Sequence, residues 1–176
     1  MSAEASRFPI EPPIEPMLAT LAEHLPADGE FLFEPKWDGF RAIVYRGASD
    51  LYIQSRDSRP FDRYFPELHD ALLSRLPERC VVDGEIVITT PRGLDFDLLQ
   101  LRLHPAGSRV AKLAAETPAS FVAFDVLAAD GRNLMTTPQR ERRQILERLL
   151  ADVGAPVYLT PMTRDRATDG SPARPP

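Results

Sequence analysis

Apolar residues recur along this chain at two spacings, and each switch between them marks an element. Short apolar runs of strand type cover residues 31–34, 41–45 and 51–54, and Gly47, Ser49 and Asp50 punctuate them as turn residues. From 66 to 76 the spacing becomes helical: Leu68, Leu72, Leu73 and Leu76 share one face, and Pro66 suits a first turn. Residues 80–89 return to strand character, 95–103 suit a short helix, and 121–127 form another strongly apolar strand. Ile145, Leu146, Leu149 and Leu150 give 138–151 a helical stripe, and 157–160 suit a last strand. Residues 1–30 are rich in proline and lack a period, so an extended lead-in is expected there. The tail from 164 to 176 holds Gly170, Pro172, Pro175 and Pro176 with almost no apolar residue, and disorder is expected. Many strands with few intervening helices favour an α+β fold over a doubly wound sheet.

Composition narrows the class. A chain of 176 residues, 43% hydrophobic, is long enough to bury the core of one domain. No apolar run approaches the roughly 18–20 residues that span a bilayer. The N-terminus has neither the basic nor the apolar region of a signal peptide, so no membrane partner and a cytoplasmic location are expected. The single cysteine, Cys80, fits a reducing compartment and reads as a buried strand residue beside Val81 and Val82. His24, His69 and His104 lie far apart, without metal-ligand spacing. A net charge of −5 argues against a broad basic surface for nucleic acid, so any such contact is expected to be local. The arginine-rich stretch 132–148 reads as a solvated helix face.

The candidate chemistry starts from a rarity. Arginine supplies nearly all the positive charge, and the only lysines are Lys36 and Lys112. An amine can shed its proton and attack an electrophile, which a guanidinium does not do. Lys36 lies in Glu34-Pro35-Lys36-Trp37-Asp38-Gly39-Phe40-Arg41, with carboxylates and an arginine around one amine. Asp-Gly alone says little, since the chain has five such pairs, at 28, 38, 83, 130 and 169, and the pair commonly forms hairpin turns. Glu85 interrupts the apolar strand Val82-Asp83-Gly84-Glu85-Ile86-Val87, which is costly unless its carboxylate faces a cleft, a partner or water. In the strand around Phe124 and Asp125, alternation places the two on opposite faces, one free to stack and the other needing hydrogen bonds. Arg56, in Ser55-Arg56-Asp57, closes a strand.

The order Glu-x-Lys-x-Asp-Gly-x-Arg, Ser-Arg, Asp-Gly-Glu, Phe-Asp-x-Leu resembles the ATP-dependent DNA ligases of the covalent nucleotidyltransferase superfamily. The text 33–41, together with Arg63-Tyr64-Phe65-Pro66-Glu67-Leu68, is similar to the bacterial ligases of the repair and end-joining type. The resemblance implies an α+β, ATP-grasp-like adenylation domain with antiparallel sheets, over residues 16–163, preceded by a lead-in at 1–15 and followed by the tail. It also implies a reaction in three steps, using ATP and magnesium on a nicked or broken DNA duplex. A lysine takes AMP from ATP, AMP passes to a DNA 5′-phosphate, and the neighbouring 3′-hydroxyl displaces it. By position in the motifs Lys36 is the nucleophile, Glu34 lies beside the adenine and Phe124 stacks on it. Arg41 and Glu85 hold the ribose, Arg56 approaches the ribose or phosphate, and Asp38 and Asp125 occupy supporting positions.

The family pattern continues with a Glu-Gly-aliphatic-Val stretch, a Lys-x-Lys stretch and an oligonucleotide-binding barrel. The 176 residues contain no Glu-Gly pair and no lysine after Lys112, so the adenylation domain is expected to be incomplete at its C-terminal side. The absent lysines would neutralise triphosphate charge, and losing one such contact costs on the order of 10²–10³ in rate. Nick sealing by this chain alone is therefore not expected. Two alternatives stand beside this reading. One is an RNA ligase or capping-type nucleotidyltransferase. The other is a non-catalytic nucleotide-binding remnant, or half of a split enzyme whose partner chain carries the missing motifs.

Overall fold

The computed structural model describes residues 7–24, 31–103 and 106–165. The tail from 166 onward lies outside them, as do the Asp-Gly pairs at 28 and 169. The chain begins with an antiparallel hairpin, β1 (Phe40–Arg46) and β2 (Leu51–Ser55), then helix α1 (Pro66–Arg75) and strand β3 (Cys80–Val87). A two-residue-strand hairpin, β4 (Thr89–Thr90) and β5 (Gly93–Leu94), precedes helices α2 (Phe96–Gln100) and α3 (Gly107–Glu116). The long strand β6 (Ser120–Ala129), the short β7 (Arg132–Asn133), helix α4 (Gln139–Leu149) and strand β8 (Val157–Leu159) complete it.

One sheet carries the fold, in the order β2-β1-β3-β6-β7, with β8 also paired to β6. All its pairings are antiparallel except β6 with β8. That exception follows from α4, because parallel neighbours need a crossover long enough to return the chain to the same end of the sheet. β3 is central and buried along its whole length except at Glu85. Cys80, at its start, is fully buried as expected, and burial pushes its thiol up to about 12.

The main core lies on one face of the sheet, where Val44, Ile53, Val82, Ile86 and Phe121 meet Leu68 and Leu72 of α1 and Leu146 of α4. Fully buried Arg102 ties the helices together, donating to Tyr64 O at 3.0 Å and Thr117 O at 3.1 Å and pairing with Glu67. α1 has the terminal chemistry its sequence indicated, with proline and Glu67 in the first turn and Arg75 in the last. α3 was not anticipated: it buries only Val110 and no side chain caps its N-terminus.

Two expectations change. Residues 31–34 do not form a strand, and only Phe33 pairs, through a two-bond bridge to Thr163. Pro35 follows without an N–H to continue a ladder. The N-terminal lead-in is seated on the sheet, with Phe8 buried against Tyr45. Ile14 N–H donates to Tyr45 Oη at 3.1 Å and to Gln54 Oε1 at 3.0 Å, while Gln54 Nε2 donates to Ile14 O at 2.6 Å. Finally, the arginine stretch is not uniformly solvated. Arg142 and Arg143 are only 8% and 5% exposed, and both point inward.

Candidate nucleotide-binding active site

The site is assembled on the sheet face opposite the main core. Cross-strand register places Arg41 of β1 directly against Glu85 of β3, and Asp83 of β3 against Asp125 of β6. Two aspartates facing each other in a sheet repel, and each is neutralised by an arginine fork. Arg41 donates to Asp83 through Nε at 3.1 Å and Nη2 at 2.7 Å. Arg142 of α4 donates to Asp125 through Nε and Nη2, both at 2.8 Å. Arg41 also lies over the Phe124 ring, 5.5 Å from its centroid, and donates to the backbone oxygen of Met17.

Phe124 and Asp125 do not fall on opposite faces as alternation predicted. The β3–β6 register shifts between Asp83 and Gly84, which leaves Phe124 without a partner opposite it. Such a bulge breaks the two-residue period, and both side chains line one cavity of about 380 Å³. Glu34, Arg41 and Asp83 share that cavity. A second, larger cavity of about 730 Å³ is lined by Arg41, Arg56 and Glu85, with Arg59 and Arg63 beside them. Arg41 lines both.

The lysine segment sits at the edge of this face. Lys36 is exposed, lines neither cavity, and makes no hydrogen bond or ion pair among the described residues. Its neighbour Trp37 is buried against Val87 and Val122, and its Nε1–H donates to Thr160 Oγ1 at 2.8 Å. The segment is therefore pinned one residue from the amine while the amine stays free. Glu34 is held by Arg143, whose Nη1 lies 2.9 Å from Glu34 Oε1. Gly39 approaches β3 so closely that an added Cβ would run into Ile86 O and the Glu85 side chain.

Burial sets the electrostatics. It pushes the Glu85 carboxyl up to about 7, with Arg41 and Arg56 opposing the rise and Asp83 and Asp38 adding to it. Burial also raises Asp83 against the pull of Arg41, and raises Glu34 against that of Arg143. Among the described residues no group of three or more histidine, cysteine or carboxylate side chains is placed to hold a metal ion.

Of the residues singled out in the sequence, Glu34, Arg41, Phe124 and Asp125 meet in one cavity and Arg41, Arg56 and Glu85 in the other. Asp38 is exposed beside the lysine, close enough for its charge to act on Glu85. The sequence reading missed Trp37, Arg142, Arg143 and Thr160 as anchors, and it gave Asp83 no role. A signal for Arg142 was present, because it stands four residues before Leu146 on the apolar stripe of α4.

Comparison with known proteins bears on the family. The profile of the ATP dependent DNA ligase domain matches residues 16–168. DNA ligase C2 of Mycolicibacterium smegmatis is 51% identical over 161 residues, covering 92% of this chain and 45% of that protein. DNA ligase C of Mycobacterium tuberculosis is 48% identical, covering 92% and 46%. A solved mycobacterial DNA ligase D, complexed with ATP and MES, superposes with a TM-score of 0.56 at 28% identity, over 74% of this chain and 40% of that one. The chain thus spans about half the length of the curated relatives it matches. With the motifs in order, the sheet that presents them and relatives at half identity, this chain belongs to the ATP-dependent DNA ligase family.

Proposed function

We propose that this chain binds ATP across the two cavities and accepts AMP on Lys36, the first step of DNA ligation. One observation carries the reading. Glu34 and Phe124 line a cavity that Arg41 joins to a second one holding Glu85 and Arg56, with the lysine segment at their edge. The smaller cavity suits the base: Phe124 offers a face to stack on, and Glu34 offers an acceptor. Glu85 and Arg41 then meet the ribose, and Arg56 the ribose or phosphate. Asp125 supports through Arg142, and Asp38 lies beside the nucleophile.

In the chemical step the neutral Lys36 Nζ forms a bond to the α-phosphorus as the bond to the bridging oxygen breaks. Pyrophosphate leaves with the electron pair, and the amine gives up a proton. Guanidinium groups in the larger cavity stabilise the charge that builds on the phosphate oxygens. Transfer of AMP to a 5′-phosphate at a nick or break in duplex DNA, and sealing by the 3′-hydroxyl, complete the proposed role, in the cytoplasm. Those later steps call on the part of the family's length that these residues do not span, in the same or a separate chain. Within the described residues, no helix is long and apolar enough to cross a membrane.

The test is self-labelling with α-labelled ATP and magnesium, comparing wild type with Lys36→Ala. Label is expected on wild type and none on the variant. The alternative amine, Lys112, is exposed on α3 and 3.7 Å from Glu116. Equal labelling of both proteins would reject Lys36 as the nucleophile.

A further inference from the structure

Arg143 lies outside every motif that marks the family resemblance, yet its guanidinium makes three directed contacts. Nη1 donates to Glu34 Oε1 at 2.9 Å, Nε to Glu147 Oε1 at 2.8 Å and Nη2 to the Thr160 backbone oxygen at 2.9 Å. Its side chain is 6% exposed. The fork therefore binds the segment before Lys36 to α4 and to the chain leaving β8. Thr160 is also the residue that Trp37 bonds, so both ends of the segment are fixed to one anchor. Glu34 Oε2 has no hydrogen-bond partner among the described residues, and Glu34 shares its cavity with Phe124.

We infer that Arg143 is a positioning residue for base selection: it holds Glu34 as a hydrogen-bond acceptor and so sets a preference for 6-amino over 6-oxo purine triphosphates. The inference rests on the placement of Glu34 beside the base proposed above. An ionised carboxylate only accepts hydrogen bonds, whereas a protonated one also donates. Adenine presents an amine at C6, and hypoxanthine presents an oxygen there. Burial and the Asp125 charge both favour the protonated form of Glu34, and Arg143 opposes them. Without the fork, Glu34 loses both its aim and the charge that keeps it an acceptor, and the 6-oxo purine is no longer disfavoured.

Titration calorimetry of the full chain with ATP and with inosine triphosphate tests this in wild type, Arg143→Ala and Arg143→Lys. Wild type is expected to favour ATP by about tenfold, since a mismatched polar pair costs a factor of that order. Arg143→Ala is expected to bring the two affinities within about threefold of each other, because the aligned acceptor is gone. Arg143→Lys, a point charge in place of a planar fork, is expected to fall between. Parallel loss of both affinities with the ratio kept would show a purely structural role and overturn the inference, leaving the ATP site intact. A wild type that binds ATP without preference would also overturn it. A wild type that binds neither nucleotide would reject the nucleotide site itself, and the inference with it. If circular dichroism shows that Arg143→Ala does not fold, the ratio in Arg143→Lys decides.

Discussion

Glu85 occupies a position where one carboxylate serves two opposed demands. It is the single partly open residue of an otherwise buried strand, and burial carries its carboxyl from 4.5 up to about 7. A folded-state value above the unfolded one means that the protonated form contributes stability. That contribution is full below the unfolded value and is lost as pH rises through about 7. The melting temperature of wild type is therefore expected to fall between pH 5 and pH 8 by a few degrees more than that of Glu85→Gln. Parallel pH profiles of the two proteins would reject this. In the role proposed for Glu85, binding is expected to move the other way, because the ionised carboxylate is the stronger acceptor for ribose hydroxyls. ATP affinity should rise through neutrality in wild type and lose that slope in Glu85→Gln. The interruption of an apolar strand by glutamate was legible in the sequence. The size of the shift was not, since it depends on burial in the fold and on Arg41, Arg56, Asp83 and Asp38 coming together from three segments.

Among the elements, the β3–β6 pair shapes the site most. Its register slips twice, between Val81 and Val82 and between Asp83 and Gly84, and the second slip brings Phe124 and Asp125 to the same cavity. Period-two reasoning placed the strand correctly and its faces wrongly, because a bulge adds a residue without changing composition. Asp83-Gly84 belongs to a pair type that commonly turns but lies inside β3, as the strand reading of 80–89 expects, whereas Asp130-Gly131 does turn the chain, with φ of 50° and 74°. Gly84 is required for close approach: an added Cβ would lie 2.5 Å from both the Phe121 ring and Val122 O. Phe121 is fully buried and the other obstacle is backbone, so neither can give way. Gly84→Ala is expected to destabilise the fold by about 2–3 kcal/mol in urea denaturation, as overpacking does. A loss of less than about 0.5 kcal/mol would show that the pair is not tightly packed there. α4 illustrates the opposite kind of misreading. Its charged text suggested solvent on all sides but the leucine face, whereas Arg142 and Arg143 are drawn inward by carboxylates 17 and 109 residues away in sequence. The stripe position of Arg142 hints at its burial, but the local sequence names neither distant carboxylate.

For the molecule as a whole, the α+β class, most element positions and the motif residues were read from the chain, since hydrophobic period and motif order are local. The wrapping of the N-terminal segment was not, because its anchors are few and widely spaced. Phe8 is 3% exposed and packs with Ile43, Tyr45, Val81 and Ala128 on the sheet face that also carries the site. Phe8→Ala is expected to cost about 3 kcal/mol, at the low end for a buried phenylalanine. An unchanged denaturation midpoint would show that the segment does not brace the sheet. The bond from Trp37 to Thr160 joins residues 123 apart, and the bridge from Phe33 to Thr163 closes beside it. Closing so long a loop forfeits more chain entropy than any hairpin in the sheet. On a ribosome, β1, β2 and β3 can pair long before residue 163 exists. Those three strands are thus a framework that can be laid early, and the lysine segment takes its final seat only when the residues after β8 have been synthesised.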